Sequence, residues 1–125
     1  MRFAFVIPLL LLGATLFESE GALADSLCVA PAMPAPVKGI SVSRERMRAA
    51  MAEAHAFIAQ SSVYQDCLLK EVEAAKTQAA AGGEPFEPMI ETSARAKVEA
   101  SKKAQERVGG AANMALAAYK NTARP

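Results

Sequence analysis

The sequence of 125 residues contains no tryptophan, two cysteines and one histidine, and aromatic residues make up only 6% of it. With so few large side chains, the chain can bury a thin seam between helices but not a thick core around a catalytic cavity. Neither sign of charge is in excess, because the formal net charge is +1. This balance excludes a strongly basic tail and an acidic disordered chain, so we expect no nucleic-acid partner.

Residues 1–24 have the organisation of an export signal. A positively charged start precedes an apolar stretch at residues 3–17, and the motif Ala22-Leu23-Ala24 follows. Signal peptidases accept such a pattern because their pocket takes small side chains, which predicts a cleaved signal peptide at 1–24 and a mature start at Asp25. An uncleaved membrane anchor is the alternative, but Glu18 ends an apolar stretch shorter than the about 20 residues of a membrane span.

The expected localisation follows from this signal. After cleavage, no remaining segment is long and apolar enough to span a bilayer, so the mature protein is predicted to be exported, periplasmic or secreted, and not transmembrane. The alanine-rich composition of a small exported chain favours a bacterial periplasm.

Residues 25–42 are predicted to form an extended arm. Pro31, Pro34 and Pro36 fix their own backbone angle φ near −65° and remove backbone donors. Each also keeps the preceding residue out of the helical region. Neither a helix nor a central strand is therefore available to this segment.

Residues 43–125 are predicted to form a helical hairpin domain. Apolar residues recur at helical spacing over two stretches, which predicts helices at about 44–81 and 88–122. Ser43 is a favoured N-cap, Gly82-Gly83 supplies a stop, and Pro88 suits a first helical position. The predicted fold is all-α: an antiparallel two-helix hairpin with coiled-coil-like packing and a proline-rich arm.

Two features of this hairpin stay open in the sequence. Gly109-Gly110 lies inside the second helix, where each glycine costs about 1 kcal/mol relative to alanine, so the pair indicates either a kink or a close approach to the first helix. Two helices also leave apolar side chains half exposed. The arm, a second copy or a partner protein could cover them.

Cys28 and Cys67 are the only thiols, and an exported chain matures where disulfides persist. The residues between Cys28 and Ser43 can extend over about 50 Å, which lets the arm double back along the first helix. An intramolecular disulfide is therefore predicted, and closing its loop of about 40 residues should stabilise by about 4 kcal/mol. The alternatives are an intermolecular bridge and a redox-active or metal-binding pair, although no C-x-x-C motif is present.

Catalytic and cofactor motifs are absent from the sequence, so we expect neither an enzyme nor a bound cofactor. His55 is the only histidine, no serine has a G-x-S-x-G context, and no phosphate loop, dinucleotide fingerprint or zinc spacing occurs. Met47, Met51 and His55 recur every four residues and carry ligands that suit Cu(I). The favoured interpretation is that the two methionines fill gaps in the packing stripe, and no metal site is predicted.

The charges are distributed unevenly between the two ends of the predicted hairpin. Acids gather at the turn, whereas the opposite end, the basic end, collects six cations. The acids are Glu84, Glu87 and Glu91, and the cations are Lys38, Arg44, Arg46, Arg48, Lys120 and Arg124. The basic end is interpreted either as a solvated end or as a surface for anionic lipid, glycan or an acidic protein.

These observations predict an exported, non-catalytic helical protein that acts by protein–protein interaction, as a structural or accessory subunit, or that associates with itself. The expected contact surface contains Met51, Ile58, Leu68, Arg44 and Arg48. A periplasmic holdase-type chaperone for unfolded clients is the alternative, and a Cu(I)-binding protein is a less favoured one.

Overall fold

The computed structural model describes residues 26–123, which form two helices and an extended segment that precedes them. The predicted signal peptide, its cleavage site and Arg124 lie outside the described residues. Helix α1 spans Arg44–Gly82 and helix α2 spans Pro88–Thr122. The two pack against each other as a hairpin, which confirms the predicted fold class. Neither helix contains a stretch apolar enough to cross a membrane.

Local sequence signals set the helix ends. The Ser43 hydroxyl accepts a hydrogen bond from the Arg46 amide and so caps the start of α1. Gly83 ends α1 with a φ of 67°, a left-handed conformation that glycine adopts without a steric penalty. Pro88 begins α2, and the Glu87 side chain caps it by accepting a hydrogen bond from the Met89 amide.

The interface between α1 and α2 contains two apolar clusters, which divide the hairpin into two halves. The cluster of the turn half lies near the loop and consists of Leu68, Val72, Ala94 and Val98, joined by Cys28, Tyr64, Phe86 and Ile90. The cluster of the open half lies near the free helix ends and consists of Ala54, Phe57 and Val108, joined by Ile58, Ala104 and Ala112.

A layer of polar side chains, the polar layer, separates the two clusters. The side-chain amide of Gln65 donates hydrogen bonds to the Ser101 hydroxyl at 3.0 Å and to the side-chain carbonyl of Gln105 at 2.9 Å. Gln105 donates in turn across the interface to the backbone carbonyl of Ile58 at 2.8 Å. Ser61 completes the layer and is 1% exposed. Its hydroxyl group has no hydrogen-bond partner among the described residues.

The extended arm, described here from Ser26 to Val42, runs back along α1 in the direction opposite to that helix. It begins beside Cys67, contributes a wall between the helices in the open half, and reaches α2 at Ala115. The predicted course of the arm is therefore confirmed.

The arm turns into α1 at Gly39. This residue is buried, its φ is 78°, and a Cβ placed on it would overlap the backbone carbonyl of Ala115. Ser41 also has a positive φ, of 56°, and two such residues close together reverse the chain. Glycine is thus required at position 39 both by its conformation and by its contact.

The glycine pair does not break α2, which runs without interruption through Gly109-Gly110. A Cβ on Gly109 would meet the Ile58 side chain at 3.8 Å, an ordinary contact distance, and a Cβ on Gly110 would meet nothing. The close approach between α2 and α1 that the glycine pair suggested is therefore a contact between Gly109 and the Ile58 side chain. This contact does not require glycine at position 109.

Candidate binding surfaces

The arm is fastened to α1 by one covalent bond and by one carboxylate. Cys28 and Cys67 form an intramolecular disulfide with their Cα atoms 5.8 Å apart, as predicted, and neither is a free thiol. One turn further along α1, Glu71 accepts hydrogen bonds from the Ser26 hydroxyl at 2.7 Å and from the Leu27 amide at 2.8 Å. These bonds hold the first described residues of the arm against the helix.

The same three side chains are the one group of potential metal ligands that comes together in the described part of the chain: Cys28, Cys67 and Glu71. Metal binding by cysteine requires the thiolate, and both sulfur atoms are consumed by the disulfide. The oxidised site therefore does not have the donors of a metal centre.

An exposed apolar surface surrounds the disulfide. We call it the disulfide face and define it by Leu27, Val29 and Val63, which are 90%, 85% and 69% exposed. These three side chains line a shallow depression of about 500 Å³, and Ala59 and Gln60 of α1 form part of its floor. Large apolar side chains grouped in this way on a small chain make the disulfide face a candidate contact surface.

A second concave feature lies in the open half, and we call it the arm groove. It has three walls: arm residues 33–37, Ala50, Met51 and Ala54 of α1, and a row on α2 that includes Val108 and Ala111. Its volume is about 220 Å³. All lining residues are apolar except Arg107, whose guanidinium makes no ion pair with any other residue in the described range.

The expected apolar contact surface is corrected in part by these positions. Leu68 is 2% exposed and packs in the cluster of the turn half, so it is unavailable to a partner in this conformation. Ile58 is half-buried against the cluster of the open half. Met51 is also half-buried, and it lines the arm groove. The helical stripe that contains these residues faces α2 and the arm, because the hairpin buries its own apolar side.

The three residues weighed as copper ligands lie in three different environments. Met47 is 3% exposed in the packed interior, Met51 lines the arm groove, and His55 is exposed to solvent. The packing interpretation of Met47 agrees with its burial.

The described cations of the basic end are exposed, and one of them forms an ion pair. Arg44, Arg48 and Lys120 are exposed, whereas Arg46 pairs with Glu53 at 3.0 Å. Arg44 and Arg48 form no ion pair with another described residue. Two arginines on the first turns of α1 therefore present their charge to solvent.

Two of the three acids at the turn are engaged: Glu87 caps α2 and Glu91 forms ion pairs, whereas Glu84 is exposed. Glu91 accepts from Arg95 and from Lys76, which links α1 to α2 at 3.1 Å. Hydrogen bonds from Arg95 and Lys76 lower the pKa of Glu91, and the hydrogen bond to Glu91 raises the pKa of Lys76. The Lys76 ammonium also lies 5.6 Å from the centre of the Phe86 ring. The contacts of Glu91 therefore tie α1 and α2 together at the turn.

Sequence reasoning missed several residues that shape these surfaces. Glu71 looks like any solvated acid on α1, and nothing in its spacing indicates that it holds the arm. Gln65 and Gln105 carry no signal of their own, although Ser61 and Ser101 stand in the two apolar stripes and could have indicated a polar layer. The arm groove was missed because it needs three segments that are distant in sequence.

Comparison of the chain with protein-family models, with curated proteins and with solved structures finds no match. The functional interpretation therefore depends on the residues themselves.

Proposed function

We propose that this chain is an exported, non-catalytic helical protein that acts by binding another protein, and that the partner docks on the disulfide face. The observation that carries the proposal is the exposure of Leu27, Val29 and Val63 around one depression. Fully burying side chains of this size is worth about 1.5–3 kcal/mol each, so covering this surface is a substantial source of binding free energy.

Export is supported by two independent features. The motif Ala22-Leu23-Ala24 follows an apolar stretch as in a cleaved signal. The Cys28–Cys67 disulfide fits an oxidising compartment outside the cytosol. The disulfide also has a direct role in the proposed surface, because it holds Leu27 and Val29 beside Val63.

A further part of the proposal is that the partner protein is acidic, and the basic end supports it. The exposed charges of Arg44 and Arg48 attract anionic groups over a range of about 8 Å at physiological salt. Such attraction increases the rate of encounter and weakens when salt is added. The partner's affinity should then fall with ionic strength, and replacing both arginines by glutamine should remove much of that dependence.

A holdase-type chaperone is the second candidate function. Three methionines of the described chain are largely exposed: Met33 at 54%, Met89 at 55% and Met114 at 76%. Exposed methionines adapt their shape to many apolar partners, which suits binding to unfolded clients. These three residues lie apart from the disulfide face, so the two functions predict different contact positions.

The proposal is tested by photo-crosslinking from position 63 in cells of the native source. A crosslinkable residue at position 69 is the matched control, because Leu69 is an exposed apolar residue of the same helix and points about 120° away from Val63. We expect one discrete adduct from position 63 and none from position 69. Many adducts of different mass from a third crosslinkable position, at the exposed Met114, would instead support the holdase function.

The partner found in this way should then bind the purified protein with fixed stoichiometry. Val63→Lys places a charge on the disulfide face and is expected to weaken binding by about tenfold or more, because the lysine must be desolvated. Leu69→Lys should leave the affinity unchanged. A complex that tolerates Val63→Lys as well as Leu69→Lys would contradict docking on the disulfide face.

A further inference from the structure

We propose that the arm groove binds the hydrocarbon chain of a free single-chain carboxylate, such as a fatty acid of medium length, with Arg107 at the carboxylate. The site is separate from the disulfide face and does not depend on the function proposed above. Its elements are an apolar groove with three walls and one cation that has no counter-ion among residues 26–123.

The size and lining of the groove favour an alkyl chain. Its volume is about 220 Å³, whereas a dry cavity of about 150 Å³ in another protein is sufficient to bind benzene. Met33 lies on the wall formed by the arm, and Met51 lies on the wall formed by α1. Methionine side chains are flexible and adapt to a chain that has no fixed shape.

The charge of the lining selects the head group. Arg107 is its one charged residue, and no acidic residue takes part. A guanidinium presents parallel N–H donors that match the two oxygens of a carboxylate. An apolar group with an anionic end therefore complements the groove, whereas a cationic amphiphile of the same length does not.

The openness of the groove favours a free amphiphile over a lipid that stays in a bilayer. Ala111 on α2 lines the groove and is also exposed, so one side of the bound chain reaches solvent while the head group lies at the surface. The groove has room for one short chain. It does not have the volume for the two long chains of a membrane lipid.

The test is a titration of decanoate, below its micelle concentration, into protein expressed from the full chain and labelled at the methionine methyl groups. We expect saturable shifts of the Met33 and Met51 signals, while Met89 and Met114, which lie outside the groove, stay unchanged. Octanoate should bind about fifteenfold more weakly, because each buried methylene is worth about fourfold in affinity. Decanol and decyltrimethylammonium should both bind more weakly than decanoate.

Two pairs of matched variants test the contacts. Arg107→Gln should weaken decanoate binding by about fivefold and leave decanol binding unchanged, because the charge-assisted hydrogen bonds are lost. Arg48→Gln removes the same charge from an exposed arginine outside the groove and should have no effect. Ala111→Leu narrows the groove from its rim and should abolish the Met33 and Met51 shifts. Ala117→Leu makes the same change at an exposed position of α2 that does not line the groove.

Several results would overturn the proposal. These are shifts at Met89 and Met114 that match those at Met33 and Met51, affinity that does not depend on chain length, and equal binding of decanoate and decyltrimethylammonium. Equal effects of Ala111→Leu and Ala117→Leu, with both variants folded by circular dichroism, would also overturn it. None of these outcomes bears on the disulfide face, so the proposed partner binding stands or falls separately.

Discussion

The turn half and the open half of the hairpin bury their helix faces with different material. In the turn half, Leu68 and Val72 of α1 pack directly against Val98 of α2, and Phe86 from the loop joins them. In the open half, α2 contributes alanines around Val108, and the arm forms a third wall beside the helices. In the turn half, branched side chains fill most of the space between the helices, and the arm adds Cys28. Alanines leave a gap, and a third segment is needed beside them.

This difference explains why the arm groove lies in the open half. The arm lies against a face of α2 that consists largely of alanines, whose short side chains do not fill the space beside it. The arm groove is the remaining space between these three segments. The turn half is instead closed by the Lys76–Glu91 ion pair and the loop. The comparison suggests that the turn half provides stability and the open half provides room for a ligand.

The largest effect is expected from Cys28→Ser, which removes the anchor of the arm. Its loss should lower stability by about 4 kcal/mol in the chain-entropy model, and therefore lower Tm by about 15 °C or more. Amide hydrogen exchange should increase more around Ala54 and Val108 than around Leu68 and Val98, because the arm wall belongs to the open half. The reduced wild-type protein is the control and should behave like the variant.

An equal increase of exchange in both halves would contradict the division proposed here. It would mean that the arm stabilises the whole hairpin and not the open half alone.

The second expected effect concerns the other end of the arm. Gly39→Ala should lower stability by about 2 kcal/mol, because an L-residue with a φ of 78° is strained and its Cβ would overlap the Ala115 carbonyl. Gly110→Ala is the matched control and should raise stability by about 1 kcal/mol, since the added methyl group meets nothing and alanine favours the helix. Thermal denaturation of both variants measures the difference. Two changes of the same sign would contradict the contact between the arm and α2.

A smaller effect is expected in the polar layer between the halves. Ser61→Ala should raise stability by about 1 kcal/mol, because it removes a buried hydroxyl that has no partner in the described chain. Ser101→Ala is the comparison and should lower stability, since the Gln65 amide loses an acceptor. Urea denaturation at constant pH gives both values. Destabilisation by Ser61→Ala would show that its hydroxyl is hydrogen-bonded in solution.

The smallest effect is expected at the turn, where Glu91→Gln should lower Tm slightly at neutral pH. Hydrogen bonds from Arg95 and Lys76 lower the pKa of Glu91 from its ordinary value of 4.5. Its stabilising contribution is therefore present above pH 4.5 and is lost as the pH falls through the lowered folded-state pKa. The Tm difference between the wild type and the variant should shrink in acid. Glu99→Gln is the control. A Tm difference between the wild type and Glu91→Gln that stays constant between pH 7 and pH 2 would contradict this role of Glu91.

The sequence by itself determined the elements of this protein. Ser43, Gly83 and Pro88 set the helix ends through local hydrogen bonds and backbone preferences, which act within a few residues. The two cysteines and the length of the arm were sufficient to predict the disulfide, because reach is a property of the chain.

The tertiary structure alone decided which surfaces are free. Leu68 and Met51 lie on one helical stripe, yet the first is enclosed by α2 and the second lines a groove completed by the arm. The exposure of Val63 likewise depends on which side of α1 the arm and α2 occupy. Helical periodicity fixes the direction in which a side chain points along its own helix. It carries no information about the segment that arrives there, because that contact joins residues far apart in the chain and depends on packing in three dimensions.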